Sequence, residues 1–316
     1  MKTTLAAQTR VTGRFSMQVY RNGKLHYDIP EQDNLILDNA LDWLLTTNSA
    51  VSDMNSWCFV GTGNALPDKS QTGMLGTWWS TTNFYQSSIW VNYSGDAFRT
   101  GWRKFYAYGL GAVRGNIAEV GVNNTSSSNG STRTRALIKD SLGNPIVLTL
   151  TAEDQLYVAY TVCAENLMPE IVTGEMSVLD PVTSTTLTVP YEIHPVGRLR
   201  AASAPIHAGA RWIISPVCTL EESNAVPATS FQKNWSSNVT PATVTMLPYV
   251  TGSYERTVRY TINPTAGNFT SGVGRILVGF SSTSDASFCI VFPTVKVPKN
   301  ADSRMTFTVT MKFASI

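Results

Sequence analysis

Histidine and serine side chains are the first places to look for catalytic chemistry in this chain. The three histidines, His26, His194 and His207, form no HxH or HxxxH pair, the short spacings typical of metal ligands. No GxSxG elbow marks a nucleophilic serine. A Ser-His-Asp set has no fixed order along a chain, so the sequence leaves that one arrangement open.

The acidic residues and glycines do not point to a known active site either. Glu153-Asp154 and Glu221-Glu222 are adjacent pairs, and neighbours on a strand point to opposite faces, so neither pair suits two-carboxylate glycoside hydrolysis. The glycines of Gly109–Gly115 have the wrong spacing for a dinucleotide loop, and no βαβ unit surrounds them. The sequence therefore predicts no enzyme, with no catalytic residue, cofactor or metal site.

One segment is rich in aromatic residues. Trp78–Tyr108 holds half of the eight tryptophans of the chain. Aromatic rings fill cores and subunit contacts, and their flat faces also stack on ligands such as sugars. Trp78 and Trp79 cannot both face inward on one strand, so one of them is a candidate for a partner. The candidate interface or glycan contacts are Trp78, Trp79, Tyr85, Trp90, Tyr93 and Trp102.

Short apolar runs separated by Gly, Asn and Pro clusters predict antiparallel strands throughout. Asn22-Gly23 predicts the turn of a hairpin over Val11–Tyr27, which Pro30 would end. Leu156–Val162 alternates between apolar and other residues, as a strand with one buried face does. The apolar stripe of Asp38–Leu45 predicts a helix. We expect an all-β protein with two antiparallel β-sandwich-like domains and one short helix near residues 38–45.

Several motifs of the first half resemble a module that recurs in structural proteins of tailed bacteriophages, especially tail and tail-fibre proteins. They cover about half of the chain, and where the family has a Gly this chain has Ala40. The motifs consist of scaffold residues and imply no chemistry. They are NLILDNALD (Asn34–Asp42), FVGTG (Phe59–Gly63), GNIAEVGV (Gly115–Val122), the strand Thr134–Asp140 with a following Gly-x-Pro turn, and Ala152–Tyr160.

The resemblance implies a virion subunit of the tail, baseplate or tail fibre that acts by protein–protein assembly. Its partners would be copies of itself and other virion proteins. One alternative is an adsorption module that binds a host surface carbohydrate or receptor. Another is a capsid decoration or head-fibre protein, because one β module can serve many roles.

Two domains are expected, 1–167 and 168–316, with the boundary at Met168-Pro169. Ile117–Val122 resembles residues 275–280, and Ala152–Tyr160 resembles residues 301–309, in the same order. The identities are few. The second domain is therefore either a diverged duplication of the first or an unrelated β domain.

Charge and hydropathy exclude some classes of protein. The net charge of +2, with 15% charged residues, argues against a nucleic-acid partner bound by a dense basic patch. No apolar run approaches the roughly 20 residues that span a bilayer, so membrane insertion is not expected. Met1–Arg10 lacks the apolar core of a signal peptide, so we expect synthesis in the host cytoplasm. The phage resemblance implies a place in the virion, above all in the tail.

The four cysteines are far apart and show no CxxC spacing. Each lies in or beside an apolar run, which favours buried, reduced thiols. A disulfide between Cys58 and Cys163 stays open from sequence alone.

Overall fold

The computed structural model describes residues 2–47, 51–94, 97–127, 130–167, 171–195, 217–225, 242–279 and 286–315. Strands dominate these residues and one α-helix occurs among them, so the all-β prediction is confirmed. The elements are β1 (Lys2–Arg21), β2 (Lys24–Ile36), α1 (Asp38–Thr47), a 3-10 helix (Val51–Asn55), β3 (Trp57–Gly61), β4 (Trp78–Thr81), β5 (Phe84–Ser94), β6 (Ala97–Ala107), β7 (Gly115–Ile117), β8 (Glu119–Asn123), β9 (Thr134–Leu137), β10 (Leu148–Leu150), β11 (Asp154–Leu167), β12 (Val172–Leu179), β13 (Thr186–Pro195), β14 (Val217–Glu221), β15 (Ala242–Met246), β16 (Glu255–Ile262), β17 (Arg275–Gly279), β18 (Ala286–Val291) and β19 (Met305–Ser315).

The chain forms two compact units. The N-terminal unit is built mainly from Thr9–Asn166. The C-terminal unit is built mainly from residues between Leu167 and Lys312, together with Met1–Gln8.

A hairpin opens the N-terminal unit, as the sequence predicts. Asn22 and Gly23 have φ angles of 51° and 74°, and positive φ at both central residues is what a type I′ turn requires. Arg21 lies opposite Lys24 across this turn. A type I′ turn matches the right-handed twist of the two strands. Both strands are longer than the hairpin over Val11–Tyr27 that the sequence predicts.

The expectation that Pro30 ends the hairpin is wrong, because β2 continues to Ile36. The pairing of β1 with β2 shifts register between Phe15 and Met17, opposite Pro30. A proline has no N–H for a sheet ladder, and a bulge is one place where a strand tolerates it. The strand therefore accommodates the proline with a local irregularity.

The N-terminal unit places its strands in the order β1-β2-β9-β8-β3-β4, and β1 also pairs with β11, followed by β6 and β5. Alternate residues of β1 and β11 fill the core, which confirms the alternating strand predicted over Leu156–Val162. The helix α1 buries its apolar stripe as predicted. The buried side chains of these elements include Val11, Phe15, Met17, Val19, Leu41, Leu44, Leu45, Leu156, Val158, Tyr160 and Val162.

The C-terminal unit repeats the strand order of the N-terminal unit. It contains a five-stranded sheet, β12-β13-β18-β17-β14, and a second run, β15-β16-β19. The N-terminal unit contains β1-β2-β9-β8-β3 and β5-β6-β11. The corresponding strands also follow one another in the same order along the chain, so the two units share a topology.

The register of pairing repeats as well. Cys58 of β3 lies opposite Val122 of β8, and Cys218 of β14 lies opposite Val278 of β17. The same pair of residue types therefore stands at the same place in both units. This agreement concerns non-neighbouring strands, so local sequence preference alone does not produce it.

One detail of the expected correspondence differs in the structure. Just before β8, the N–H of Ala118 donates to the carbonyl of Gly61 in β3 at 2.7 Å. Just before β17, the N–H of Gly274 donates to the carbonyl of Glu221 in β14 at 2.8 Å. Arg275 therefore stands at the position of Glu119, whereas the sequence comparison paired it with Ile117. The structural correspondence is shifted by two residues, which keeps the same face of the strand buried.

Candidate interaction surface

The described residues hold no group of three or more His, Cys, Asp and Glu that could bind a metal ion. The Nε2 atom of His194 lies 2.7 Å from Glu192 Oε2, and His207 lies outside the described residues. In the part of the chain that the structure describes, no helix has the length and apolar character to cross a membrane.

Among the described residues, the cluster that most resembles an activated serine nucleophile lies in the C-terminal unit. Glu222 Oε1 accepts hydrogen bonds from the N–H and the hydroxyl of Ser271, at 2.9 and 2.5 Å, and Lys296 Nζ donates to Ser271 Oγ at 2.7 Å. These bonds from Ser271, and the nearby lysine charge, lower the pKa of Glu222. A general base works best with a pKa near the operating pH. This exposed carboxylate is therefore a weak base, and the cluster ties two loops together.

The cysteines are thiols in the structure, so the disulfide left open between Cys58 and Cys163 is not formed. Burial raises the pKa of both Cys58 and Cys218 to about 12. The thiolate is the nucleophilic form of cysteine, and these pKa values keep both groups protonated near neutral pH. They serve as small apolar core residues.

Three of the five motifs that carry the phage resemblance meet around a buried carboxylate in the N-terminal unit. Glu119 lies at the start of β8, and Arg135 of β9 donates from Nε to Glu119 Oε2 at 2.5 Å. The N–H groups of Gly63 and Leu75 donate to Glu119 Oε1 at 3.0 and 3.1 Å. A carboxylate removed from water needs such partners, and two of them, Gly63 and Leu75, belong to the long loop between β3 and β4.

Arg135 extends the same network to two further points of that loop. Its Nη1 atom donates to Gln71 Oε1 at 3.0 Å, and its Nη2 atom donates to the Ala65 carbonyl at 2.8 Å. The side chains of Glu119 and Arg135 are both completely buried. The network thus holds the loop at four points, Gly63, Ala65, Gln71 and Leu75.

The glycines of the FVGTG motif make room for this carboxylate. A Cβ atom at Gly63 would overlap the carboxylate of Glu119, and one at Gly61 would lie 2.8 Å from Glu119 Oε1. The motif therefore needs glycines because the backbone approaches a buried side chain closely.

The six candidate aromatic residues lie in different environments. Trp102 of β6 is buried in the core, with 4% of its surface exposed. Trp78 and Trp79 of β4 are both half-buried on opposite sides of the strand, and Trp78 contacts Phe59 edge to face at 5.2 Å. The backbone of Tyr93 lies in β5, but its side chain is outside the described part.

Tyr85 belongs to a row of aromatic rings across the outer face of the strands β1, β11, β6 and β5. Tyr20 meets Tyr157, and Tyr157 meets Tyr85, each with ring centres 5.8 Å apart and planes nearly perpendicular. Tyr85 also contacts Phe105 at 5.8 Å, and the Arg103 guanidinium lies 4.9 Å from the centre of the Phe105 ring. We call these five residues the aromatic row.

Trp90 lies on the same outer face, further along β5. It is directly opposite Gly101 of β6, and a Cβ atom at Gly101 would overlap its indole ring. The indole therefore lies flat over the glycine and remains 39% exposed. The candidate set thus divides, with Tyr85 and Trp90 on the outer face and Trp102 in the core.

Sequence reasoning missed Tyr20 and Tyr157 as members of the row. The signal was the alternation itself, because Tyr157 stands between the buried residues Leu156 and Val158, and Tyr20 follows the buried Val19. Which outward residues become neighbours depends on the strand order, which a single strand does not encode.

Comparisons with protein-family models, curated proteins and solved structures find no match for this chain. The resemblance to phage tail and tail-fibre proteins stays a prediction from the motifs.

Proposed function

We propose that the protein is a structural subunit of a tailed-phage virion, in the tail, baseplate or tail fibre, and that it acts by protein–protein assembly. The proposal includes no catalytic activity and no cofactor, and its partners are copies of the chain and other virion proteins. The observation that carries it is the aromatic row. Four partly exposed rings and an arginine cross four hydrogen-bonded strands of one sheet.

The composition of this surface supports assembly. Tyrosine, tryptophan, phenylalanine and arginine are enriched in protein–protein interfaces, where they dominate the binding energy. Tyr85 is 62% exposed although its ring contacts two others, so much of its apolar surface is available to a partner. The clamped loop at Glu119 and Arg135 supports the same role, because a subunit scaffold must stay rigid.

Immunogold electron microscopy of phage particles from the source culture tests the proposal, with an antibody raised against the recombinant chain. Label on the tail or its fibres supports it. Label on the head moves the protein to capsid decoration or a head fibre. Particles without label overturn the virion role, provided that the antibody detects the chain in the infected cells by immunoblot.

A second candidate function is binding of a host surface carbohydrate or receptor by the same face. Flat, partly exposed rings in a row are suited to stacking on sugar rings, and Arg103 could donate to hydroxyl or acidic groups beside them. A glycan array compares the wild type with Tyr85→Ala and with the control Leu110→Ala, which removes an exposed side chain elsewhere. Binding lost only in Tyr85→Ala supports this candidate, and a wild type that binds no glycan rejects carbohydrate as the ligand.

A further inference from the structure

The strand β5 ends its sheet with an open edge. It has eleven residues, and β6 is the only strand paired with it within the described residues. Every residue from Phe84 to Trp90 is exposed, on both faces of the strand. Large apolar side chains are among them, including Ile89 at 46% and Phe84 at 44% exposed. With respect to the residues that the structure describes, the strand therefore offers unpaired backbone groups and apolar surface together.

Other strands at the ends of sheets differ from β5. The strands β4, β14 and β15 have only four or five residues, and the eight-residue β12 carries Glu175 near its middle. Short length and a central charge are two ways in which proteins protect an edge against pairing. The sequence of β5, FYQSSIWVNYS, contains no charged residue, proline or glycine. Within the described chain, β5 lacks these protections, and its one irregularity, a bulge between Phe84 and Gln86, lies at the start of the strand.

We propose that β5 pairs antiparallel with β5 of a second copy of this chain, about a two-fold axis perpendicular to the sheet. The inference rests on the assembly role proposed above and names the edge through which two copies associate. An isologous contact brings the same surface against itself, so a charged strand would repel its copy, whereas this uncharged strand does not.

The length of β5 is sufficient for a specific interface. Antiparallel pairing of the nine residues Gln86–Ser94, which follow the bulge, forms roughly eight backbone hydrogen bonds, a number within the range of a typical protein–protein interface. With the two-fold axis perpendicular to the sheet, the outer faces of both copies lie on the same side. The aromatic rows of the two copies would then belong to one continuous sheet face.

Sedimentation velocity on the purified full-length chain, over a range of concentrations, tests this pairing. The wild type is expected to sediment as a dimer. The double variant S87E/S88E places like charges on both faces of the paired edge and is expected to sediment as a monomer. Ser87 and Ser88 lie opposite Lys104 and Arg103 of β6, so the new carboxylates suit the fold of a single copy. The control S177E places a glutamate at an exposed serine of the edge strand β12 and should leave the dimer intact.

A mixing experiment gives a second, independent measurement. S87K/S88K is also expected to be a monomer, with a lower melting temperature than the Glu variant because its lysines lie opposite Lys104 and Arg103. An equimolar mixture of the Glu and Lys variants should form a heterodimer, detected by native mass spectrometry. Circular dichroism melting of each variant checks that the chain is folded. No heterodimer from two folded variants would overturn the proposal.

Three further results would also overturn it. These are a wild-type monomer at every concentration, a dimer that survives S87E/S88E, and an open-ended polymer that grows with concentration. None of them depends on phage particles. A wild-type monomer combined with gold label on the tail would therefore reject the β5 contact and leave the proposed virion role standing.

Discussion

Glu119 and Arg135 form an ion pair in which neither side chain has any exposed surface, with Nε and Oε2 2.5 Å apart. Each partner also bonds to the loop between β3 and β4, through Gly63, Leu75 and Gln71 among others. The pair therefore joins three motifs that are far apart in the sequence. In the C-terminal unit, the position of Glu119 is taken by Arg275.

Removing one member of this pair should destabilise the N-terminal unit strongly. Arg135→Met leaves the Glu119 carboxylate buried without its charge partner, so we expect a loss of about 3–5 kcal/mol in the free energy of unfolding. The double variant with Glu119→Leu should lose less than the sum of the two single variants. Denaturant unfolding measures all of them.

The exposed pair of Arg14 and Asp33 supplies the control. Both side chains are largely in water, so Arg14→Met should cost no more than about 1 kcal/mol. A loss for Arg135→Met as small as the loss for Arg14→Met would contradict a structural role for the buried pair.

Gly63→Ala should destabilise the chain for a steric reason. The new Cβ would overlap the Glu119 carboxylate, which cannot move because it is held by Arg135, so we expect a loss of about 1–3 kcal/mol. The matched control is Gly109→Ala, whose nearest atom would be the Cβ of Ala112 at 3.8 Å. That variant should be as stable as the wild type or more stable by up to about 1 kcal/mol. Equal thermal melting of the two variants would show that the clearance at Gly63 is not required.

Asp154 should make the stability of the chain depend on acid pH. Two hydrogen bonds from Arg21 at 2.8 Å, with further bonds from Thr151, lower the pKa of Asp154 to about 2. The folded pKa lies below the unfolded one, so this stabilisation is complete above about pH 4 and is lost as the pH falls toward 2. Asp154→Asn should lack this stabilisation. Its free energy of unfolding at neutral pH should be about 1–2 kcal/mol lower than that of the wild type, a figure that allows for the partly exposed Arg21.

Unfolding free energies measured between pH 2 and pH 6 check this prediction. The wild-type value should fall toward the value of Asp154→Asn as the pH decreases. The neighbouring control Glu153→Gln should follow the wild type. A constant difference between the wild type and Asp154→Asn at every pH would show that the carboxylate charge is not responsible.

Two aromatic substitutions should show, by their different effects on stability, which candidate contact is buried in the core and which lies on the surface. Trp102→Ala removes a side chain that is 4% exposed, so we expect a loss of about 3–5 kcal/mol. Tyr85→Ala removes a ring that is 62% exposed, and we expect the loss of its ring contacts to cost only about 0.5–1.5 kcal/mol. Thermal unfolding of the two variants side by side measures the contrast, and a reversed order would contradict the assignment of Tyr85 to the outer face.

Local features of the chain were readable from the sequence. Asn22-Gly23 favours positive φ angles without help from the rest of the molecule, and the apolar stripe of α1 follows from helical periodicity. The alternation on β11 likewise shows which side chains face the core. These features depend on residues that are neighbours in sequence, so composition and spacing predict them.

Other features arose only from the tertiary structure. Glu119 and Gly63 are 56 residues apart, and Tyr20 and Tyr157 are separated by most of the N-terminal unit, so their contacts require a particular strand order and register. The proline in β2 is tolerated because a bulge forms against β1. An all-β chain with its main turn, helix and buried faces follows from the sequence alone, since each of these features depends on local backbone preference and hydrophobic periodicity. The tertiary structure decided which motifs share a buried ion pair and which aromatic residues form an outer row, because non-local strand pairing brings those residues together.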